Sequence, residues 1–199
     1  MTDPEILRIE VDLVIQAMYE RFGLDFRQYS RASLERRLLG LVEQLELARV
    51  SELIPRLLHE PGFVDRAVNG IAVNVTEPFR DPECFAAIRE QVFPVLRTYS
   101  YFKIWHAGCA SGEEVYSMAI LLKEAGLLDR AQIYATDINT DALARAKDGI
   151  YPAESIARGE RNYLAAGGTG RLADYTVQQY GAARFDASLR DNMVFSQHN

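Results

Sequence analysis

The sequence predicts an α/β protein in which a small N-terminal all-α bundle precedes a Rossmann-like domain. An apolar run from Tyr101 to Ala107 ends at a turn of small residues, and apolar positions at helical spacing follow. A strand over 131–136 and a helix over 140–147 repeat this order of elements, whereas the first 72 residues show helical spacing. The apolar positions after the turn are Val115, Met118, Ala119 and Leu122.

The composition is that of a globular protein. Its 199 residues are 48% hydrophobic, which is enough for a buried core in one domain or two small ones. A formal net charge of −6 argues against general nucleic-acid binding. Because there is no long apolar run and no signal-like start, we expect a cytoplasmic protein without direct membrane insertion. Cys84 and Cys109 lack metal-ligand spacing with the three scattered histidines, so no metal is expected.

Four helices are predicted in the N-terminal part, over residues 4–21, about 31–47, from 51, and 62–72. Asp3-Pro4 begins the first helix, with the aspartate as cap and proline at the first helical position. The apolar faces are predicted to be Ile6, Ile9, Leu13, Ala17 and Met18 in the first helix and Leu34, Leu38, Leu41 and Leu45 in the second. We place a domain boundary near Val73, which divides the chain into 1–73 and 74–199.

A basic cluster surrounds the start of the second predicted helix. Its members are Arg27, Arg31, Arg36 and Arg37, and Glu35 is the acidic residue among them. One interpretation is a solvated helix face, since charges on helix faces are usually only that. The other interpretation is a docking surface for an acidic partner.

The turn after the first predicted strand indicates which nucleotide the domain could hold. Its glycines, Gly108 and Gly112, are spaced G-x-x-x-G, and Glu113 and Glu114 occupy the first helical turn. A dinucleotide fingerprint presents a helix N-terminus to a pyrophosphate, which two carboxylates would repel. The pair would attract an adenosine cofactor with positive charge and no phosphate, such as S-adenosylmethionine. The alternative is that both glutamates only complement the helix dipole.

Asp137 follows the second predicted strand. An acidic residue at this point of a nucleotide-binding unit can accept hydrogen bonds from both ribose hydroxyls. We therefore predict that Asp137 binds a ribose, with a plain turn or cap role as the alternative. The ordered set of strand, glycine turn, acidic pair, helix, strand and aspartate is more specific than any one of its parts.

A polar and aromatic stretch, residues 74–82, separates the bundle from the α/β unit. It lacks helical spacing and is predicted to be a loop at a junction, where ligands tend to bind. Asn74, Thr76 and Arg80 could reach a cofactor from this loop, although a surface ion pair is the alternative for Arg80. A helix starts at Pro82, and Pro94 is expected to kink or end it.

Four segments of the chain occur in a characteristic order. They read Asn-x-Thr-Glu-x-Phe-Arg-Asp (74–81), Ile-Trp-x-Ala-Gly-Cys-x-Ser-Gly-Glu-Glu-x-Tyr-Ser (104–117), Ala-Thr-Asp-Ile-Asn (135–139) and Gly-Ile-Tyr (149–151). This order resembles the CheR-type chemoreceptor glutamate methyltransferases, from the basic helix to the final Gln-His-Asn. The resemblance implies a helical receptor-docking domain, 1–73, and a partial class I S-adenosylmethionine-dependent methyltransferase domain, 74–199.

The resemblance also implies roles for single residues. The residues that would bind the cofactor are Asn74, Thr76, Arg80, Gly108, Glu113, Glu114, Asp137 and Asn199. Of these, the first three would contact its methionine end, the acidic pair its positive charge, Asp137 the ribose and Asn199 the adenine. Which glutamate makes the contact stays open. Arg80 is the candidate catalytic residue, because it could also orient the incoming glutamate. The basic cluster would dock the receptor, although Gly40 and Leu41 stand where more arginine is common.

Two departures from the family pattern stand out. In many members a small β-subdomain grips a peptide at the receptor C-terminus. The matching region, 152–192, shows no clear three-strand pattern, although Tyr175 to Phe185 is β-leaning and Met193 to Ser196 reads as a strand. Members also continue past Asn199 with a strand bearing Cys-Arg-Asn and an Ile-Tyr-Phe element. We therefore expect a domain that is incomplete at its C-terminal end.

The leading hypothesis is methyl transfer from S-adenosylmethionine to glutamate carboxylates in the cytoplasmic helical region of a chemoreceptor, for adaptation in chemotaxis-type signalling. A carboxylate is already ionised at neutral pH, so the reaction needs no base, metal or covalent intermediate. His106 and His198 are therefore interpreted as structural and Cys109 as a small buried residue. The rival hypotheses are a non-catalytic module that binds cofactor or receptor and an NAD-binding dehydrogenase domain, which the acidic turn disfavours.

Overall fold

A computed structural model describes residues 3–72 and 76–198, and these residues form two compact units, 3–72 and 76–198. The helices of the first unit are α1 Pro4–Phe22, α2 Arg31–Gln44, α3 Leu53–His59 and α4 Phe63–Ile71. Asp3 caps α1 by accepting a hydrogen bond from the Glu5 N–H, and Gly23 ends it in the left-handed conformation. The all-α prediction for this part of the chain is confirmed.

The buried face of α1 includes the predicted Met18 but otherwise differs from the predicted one. Ile6, Ile9 and Leu13 are 51%, 47% and 51% exposed. The buried residues are Glu10, Val11, Val14, Ile15 and Met18, on the side that packs against α2 and α3. Helical spacing alone cannot choose between two apolar stripes on one helix, and packing against the neighbouring helices makes that choice. In α2 the predicted residues Leu34, Leu38 and Leu41 are buried.

The second unit alternates helices and strands. In chain order its elements are α5 Pro82–Ala87, α6 Phe93–Leu96, β1 Phe102–Ala107, α7 Glu113–Glu124, β2 Ala131–Asp137, α8 Thr140–Asp148, β3 Ile150–Pro152, α9 Ala153–Ala165, β4 Thr176–Gln179, β5 Ala182–Phe185 and β6 Met193–Gln197. A π-helical turn, Ile88–Val92, joins α5 to α6, and the Phe93 N–H donates to the Ile88 carbonyl. The helix therefore continues past Pro94, because a widened turn precedes the proline.

Strands β1, β2 and β6 form a parallel sheet in that order. Phe102, Ile133 and Ala135 on one face of the sheet join a core that includes nearly all of α7, from Val115 to Leu122. Trp105, Tyr134 and Val194 lie side by side on the opposite face and are exposed. Two parallel strands linked by a helix confirm the Rossmann-like fold class.

A second sheet is antiparallel and of order β3-β5-β4. Strands β4 and β5 lie within the region 152–192, where the sequence showed no clear three-strand pattern, and β3 ends at its first residue. Tyr180 and Gly181, both with positive φ, form the two-residue turn between β4 and β5, as short hairpins require. Helix α9, which was not predicted from the sequence, buries Ile156, Gly159 and Tyr163. Their spacing of three and four residues is the signal that was overlooked.

Candidate functional site

The loop between β1 and α7 is held against the end of β2. The N–H groups of Gly108 and Cys109 both donate to the Thr136 carbonyl, at 2.8 and 2.9 Å. Gly108 has a φ of 74°, and a Cβ there would meet no heavy atom within 4 Å. Gly112 has a φ of 90°, and a Cβ there would lie 2.8 Å from the Ala146 Cβ. Gly112 thus permits close packing on α8, whereas the backbone at Gly108 borders open space.

The carboxylate of Asp137 fixes this loop to the end of β2. Its Oδ2 accepts a hydrogen bond from the Ala110 N–H at 2.7 Å, and its Oδ1 accepts one from the Asn139 N–H at 2.8 Å. Asp137 is 9% exposed. Each carboxylate oxygen has a second lone pair, so Asp137 could still accept two hydroxyl donors from a ligand.

The two glutamates that begin α7 have different surroundings. Glu113 is 7% exposed, and its Oε2 accepts a hydrogen bond from the Ser111 hydroxyl at 2.7 Å. Burial raises the pKa of Glu113. The Glu114 side chain is 61% exposed, and a hydrogen bond from His106 holds the pKa of Glu114 below its usual range. Glu114 is therefore the ionised, accessible carboxylate at the start of α7.

His106 makes this contact from the penultimate position of β1. Its Nδ1 lies 2.7 Å from the Glu114 Oε1, and its side chain is 5% exposed. Within residues 3–72 and 76–198, the buried Nε2 of His106 has no hydrogen-bond partner. From the sequence alone His106 is interpreted as structural, and its link to Glu114 is not predicted. The signal for this link was that His106 directly follows Trp105 in the strand. Strand alternation puts His106 on the opposite side of the sheet from Trp105, the side that faces α7.

The loop over residues 76–81 is attached to α7 through Phe79. The Phe79 ring is fully buried and packs on Phe85 and Tyr163, with ring centroids 5.3 and 5.2 Å apart. Its N–H donates to the Ser117 Oγ at 2.9 Å, and that hydroxyl donates to the Glu113 carbonyl at 2.7 Å. Phe79 has a φ of 54°, a strained value for an aromatic residue. Sequence reasoning missed both Phe79 and Ser117.

Arg80 follows this anchor, with a side chain that is 61% exposed and a Nε 3.8 Å from an Asp81 carboxylate oxygen. Thr76 is half-buried. Asn74 and Asn199, both predicted to bind the cofactor, lie outside the described residues. The N–H of His198 donates to the Asp137 carbonyl at 3.2 Å. The end of β6 therefore lies beside Asp137.

Cys109 lies in the same loop. Burial, and then the charge of Asp137, raises the pKa of Cys109 to about 12. The thiol is therefore protonated at neutral pH and is not an activated nucleophile. Over the described ranges, no group of three or more His, Cys, Asp or Glu residues is arranged to hold a metal ion. No helix in that part of the chain is both long and apolar enough to cross a membrane.

The basic cluster, Arg27, Arg31, Arg36 and Arg37, lies in the other unit and is largely occupied by local contacts. Arg27 donates two hydrogen bonds to Asp25, at 2.8 and 2.7 Å. Arg31 pairs with Asp12 and Glu35, and Arg37 donates to the Ala72 carbonyl at 2.8 Å. Arg36 is exposed, and no ion pair involves it among the described residues.

Comparison with known proteins gives two family matches. Residues 9–72 match the all-alpha domain of CheR methyltransferases, and residues 74–199 match their SAM binding domain. A provisionally named methyltransferase, Cher3, from Pseudomonas putida is 48% identical over 100% of this chain and 73% of its own length. Chemotaxis protein methyltransferase 2 of Pseudomonas aeruginosa is 31% identical over 96% of this chain and 68% of its own length. The chemotaxis protein methyltransferase of Borreliella burgdorferi is 31% identical over a match that covers 76% of this chain and 58% of that relative.

Proposed function

The chain belongs to the CheR methyltransferase family, and we propose that it transfers a methyl group from S-adenosylmethionine to glutamate side chains of a chemoreceptor. The products are glutamate methyl esters and S-adenosylhomocysteine. Residues 74–199 form the methyltransferase domain in this proposal, and residues 1–73 form the domain that docks the receptor.

The residues at the carboxyl ends of β1 and β2 fit this cofactor. Backbone at Gly108 borders open space, so an adenosine could approach it closely. Asp137 has a free lone pair on each oxygen for the ribose hydroxyls. Glu114 offers an accessible carboxylate to the α-ammonium, and Arg80 offers an exposed guanidinium to a carboxylate. We assign Asn74 and Thr76 to the methionine end and Asn199 to the adenine.

The proposal rests on the asymmetry of the acidic pair. Had both glutamates been buried, the turn would serve only the helix dipole. Glu113 is buried with Ser111, but Glu114 is exposed and its pKa is lowered. An accessible carboxylate at this position favours a ligand with a positive charge and opposes a pyrophosphate. We therefore assign the contact with the α-ammonium to Glu114 and a structural role to Glu113.

The proposed reaction requires little from the protein except the correct positioning of the cofactor and the substrate carboxylate. When bound, S-adenosylmethionine supplies an electrophilic methyl on a sulfonium. The carboxylate that receives the methyl group would already be ionised at neutral pH, so no residue of this chain would have to remove a proton from it. A general base is not needed, which agrees with the neutral thiol of Cys109. Arg80 would hold either the cofactor carboxylate or the incoming glutamate, and in-line alignment of the two reactants supplies the rate enhancement.

Two surfaces are candidates for receptor contact. In the first unit, Arg36 and the outer parts of the basic cluster would meet an acidic helical region by electrostatic complementarity. In the second unit, β4 pairs only with β5 among the described strands, and Val177 and Tyr180 on β4 and its turn are 66% and 97% exposed. An exposed strand edge can receive an extended peptide by adding a strand, so we assign the receptor tail to this edge.

The test is transfer of label from S-adenosyl-[methyl-³H]methionine to membranes that contain chemoreceptors, with the full-length gene product as enzyme. We expect label on the receptor that is released by mild base, because methyl esters hydrolyse in base and methylated amines do not. Base-stable label, or label on no receptor, would exclude glutamate esterification. Binding of S-adenosylhomocysteine in titration calorimetry without any transfer would instead favour the regulatory-module hypothesis, and a thermal shift with NAD would favour the dehydrogenase hypothesis.

A further inference from the structure

Arg80 lies between two residues that have left-handed backbone conformations. Phe79 has a φ of 54° and Asp81 has a φ of 55°. Aspartate tolerates this conformation, but an aromatic residue adopts it only at a steric cost. Strained backbone of this kind persists where the surrounding structure holds it in place, and it is concentrated at functional sites. The contacts that hold Phe79 therefore decide where the backbone of Arg80 lies.

The segment that precedes Arg80 is fixed to two helices. The Phe79 ring is fully buried, and the Phe79 N–H donates to the Ser117 Oγ of α7 at 2.9 Å. Pro78 packs closely on α9, since a Cβ added at Gly159 would lie 2.8 Å from the Pro78 Cβ. Among these contacts, the bond to Ser117 is the one that acts directly on the strained backbone of Phe79.

The Ser117 hydroxyl is arranged to accept this hydrogen bond. Its side chain is buried, and it donates its own hydrogen to the Glu113 carbonyl, one helical turn earlier, at 2.7 Å. A lone pair of the Oγ is therefore left for the Phe79 N–H. Without the hydroxyl, that buried N–H would lose its acceptor. A rotation of the Phe79 backbone out of the left-handed region would then relieve the steric cost and move Arg80.

We infer that Ser117 is a positioning residue: its hydrogen bond keeps Phe79 in the backbone conformation that presents Arg80 to the carboxylate of the cofactor. The inference rests on the proposed function, since it requires that carboxylate to lie at Arg80. Ser117 acts through Arg80 and contacts neither reactant. A guanidinium that is held in place before the ligand arrives loses less freedom on binding, so the hydrogen bond raises affinity without adding a contact to the ligand.

The test is calorimetric titration of the full-length gene product with two ligands, S-adenosylhomocysteine and its analogue that lacks the carboxylate. The variants are Ser117→Ala, Arg80→Ala and the double variant. Tyr116→Phe is the matched control, because it removes a neighbouring buried hydroxyl of α7. That hydroxyl donates to the Ala146 carbonyl of α8 at 2.8 Å, and its loss leaves the bond between Phe79 and Ser117 in place.

Ser117→Ala should bind S-adenosylhomocysteine about tenfold more weakly than wild type, because a displaced contact loses much of its value. Arg80→Ala should bind about 10–100-fold more weakly. The double variant should match Arg80→Ala within about twofold, since the two changes remove the same interaction. Tyr116→Phe should bind within about twofold of wild type, although it also loses a buried hydrogen bond.

The analogue without the carboxylate separates positioning from a general loss of structure. Wild type and Ser117→Ala should bind it with equal affinity, because Arg80 has no partner on this ligand. Ser117→Cys fills the same space with a weaker acceptor, so its affinity for S-adenosylhomocysteine should lie between those of wild type and Ser117→Ala. This variant keeps the inference testable if Ser117→Ala does not fold.

Effects that multiply in the double variant would overturn the inference, because Ser117 would then act without Arg80. An equal loss of affinity for the analogue in Ser117→Ala would do the same. So would wild-type binding of S-adenosylhomocysteine by either Ser117→Ala or Arg80→Ala. Failure of the wild-type protein to bind S-adenosylhomocysteine is a different outcome, since it would remove the proposed function itself.

Discussion

The acidic turn at the start of α7 and the basic cluster at the start of α2 are both visible in the sequence as groups of like charge. In the acidic turn, one member is buried and its neighbour is left ionised at the surface. In the basic cluster, Arg27, Arg31 and Arg37 already contact carboxylates or carbonyls of their own unit, and Arg36 stays exposed. A motif therefore contains more charged residues than a ligand can contact. The residues that already pair with neighbours in the fold are the ones that are not available.

The largest effect is expected for Asp137→Ala. This change removes the proposed ribose acceptor and leaves the half-buried Ala110 N–H and the buried Asn139 N–H without their partner. We expect S-adenosylhomocysteine affinity to fall by more than about 100-fold and the free energy of unfolding to fall by about 2–4 kcal/mol. Calorimetric titration and denaturant unfolding measure the two effects.

Asp141→Ala is the matched control, because Asp141 is an exposed aspartate in the first turn of α8. It should leave affinity and stability near wild type. A 2′,3′-dideoxy analogue of S-adenosylhomocysteine separates the two roles of Asp137, since it should bind the wild-type protein weakly without disturbing the fold. Equal affinity of Asp137→Ala and wild type would refute the ribose assignment.

The next effect separates the two glutamates. Glu114→Gln removes the accessible charge, so S-adenosylhomocysteine should bind about 10–100-fold more weakly. Glu113→Gln can still accept the Ser111 hydroxyl and should bind within about threefold of wild type. Calorimetric titration of both variants at neutral pH makes the measurement, and the reverse ranking would show that Glu113 contacts the cofactor.

Stability against pH gives an independent check on the same pair. Because burial raises the pKa of Glu113, its contribution to stability is fully present below the unfolded pKa and is lost as pH rises through the folded pKa. Glu113→Gln does not titrate. Its melting temperature should therefore rise relative to wild type as pH increases from about 4 to about 7. A constant difference over this range would mean that Glu113 is ionised as easily in the fold as in the unfolded chain.

The smallest effect concerns the basic cluster. Arg36→Ala should leave the melting temperature unchanged and raise the KM for receptor methylation by about two- to fivefold, as expected for a rim charge. Arg31→Ala breaks contacts with Asp12 and Glu35, and should lower stability by up to about 1 kcal/mol. Methylation assays at several receptor concentrations and thermal melts make the comparison. If both variants alter KM equally, the whole cluster docks the receptor in spite of its internal pairs.

The sequence was sufficient for the features that depend on local periodicity. The run from β1 through the glycine turn to α7, and the return through β2 to Asp137, follow from alternation, helical spacing and turn residues. The buried face of α1 did not follow, because Ile6, Ile9 and Leu13 compete with a second apolar stripe on the same helix. Strands β4 and β5 have four residues each, which is too short for an alternating pattern of apolar and polar residues to be recognised in the sequence.

Within the site, the identities of charged residues were predictable but their availability was not. The distinction between Glu113 and Glu114 depends on Ser111 and His106, which approach them only in the folded chain. The hydrogen bond from Phe79 to Ser117 joins residues 38 positions apart, which no local pattern could indicate.

The hydroxyl of Ser117 accepts a hydrogen bond from the Phe79 N–H and donates one to the Glu113 carbonyl. One oxygen atom thus links the segment that carries Arg80 to the turn that carries both glutamates. Deuterium uptake at the Phe79 amide should therefore slow when a ligand orders the acidic turn, which makes that single amide a reporter of events at the opposite end of the bridge.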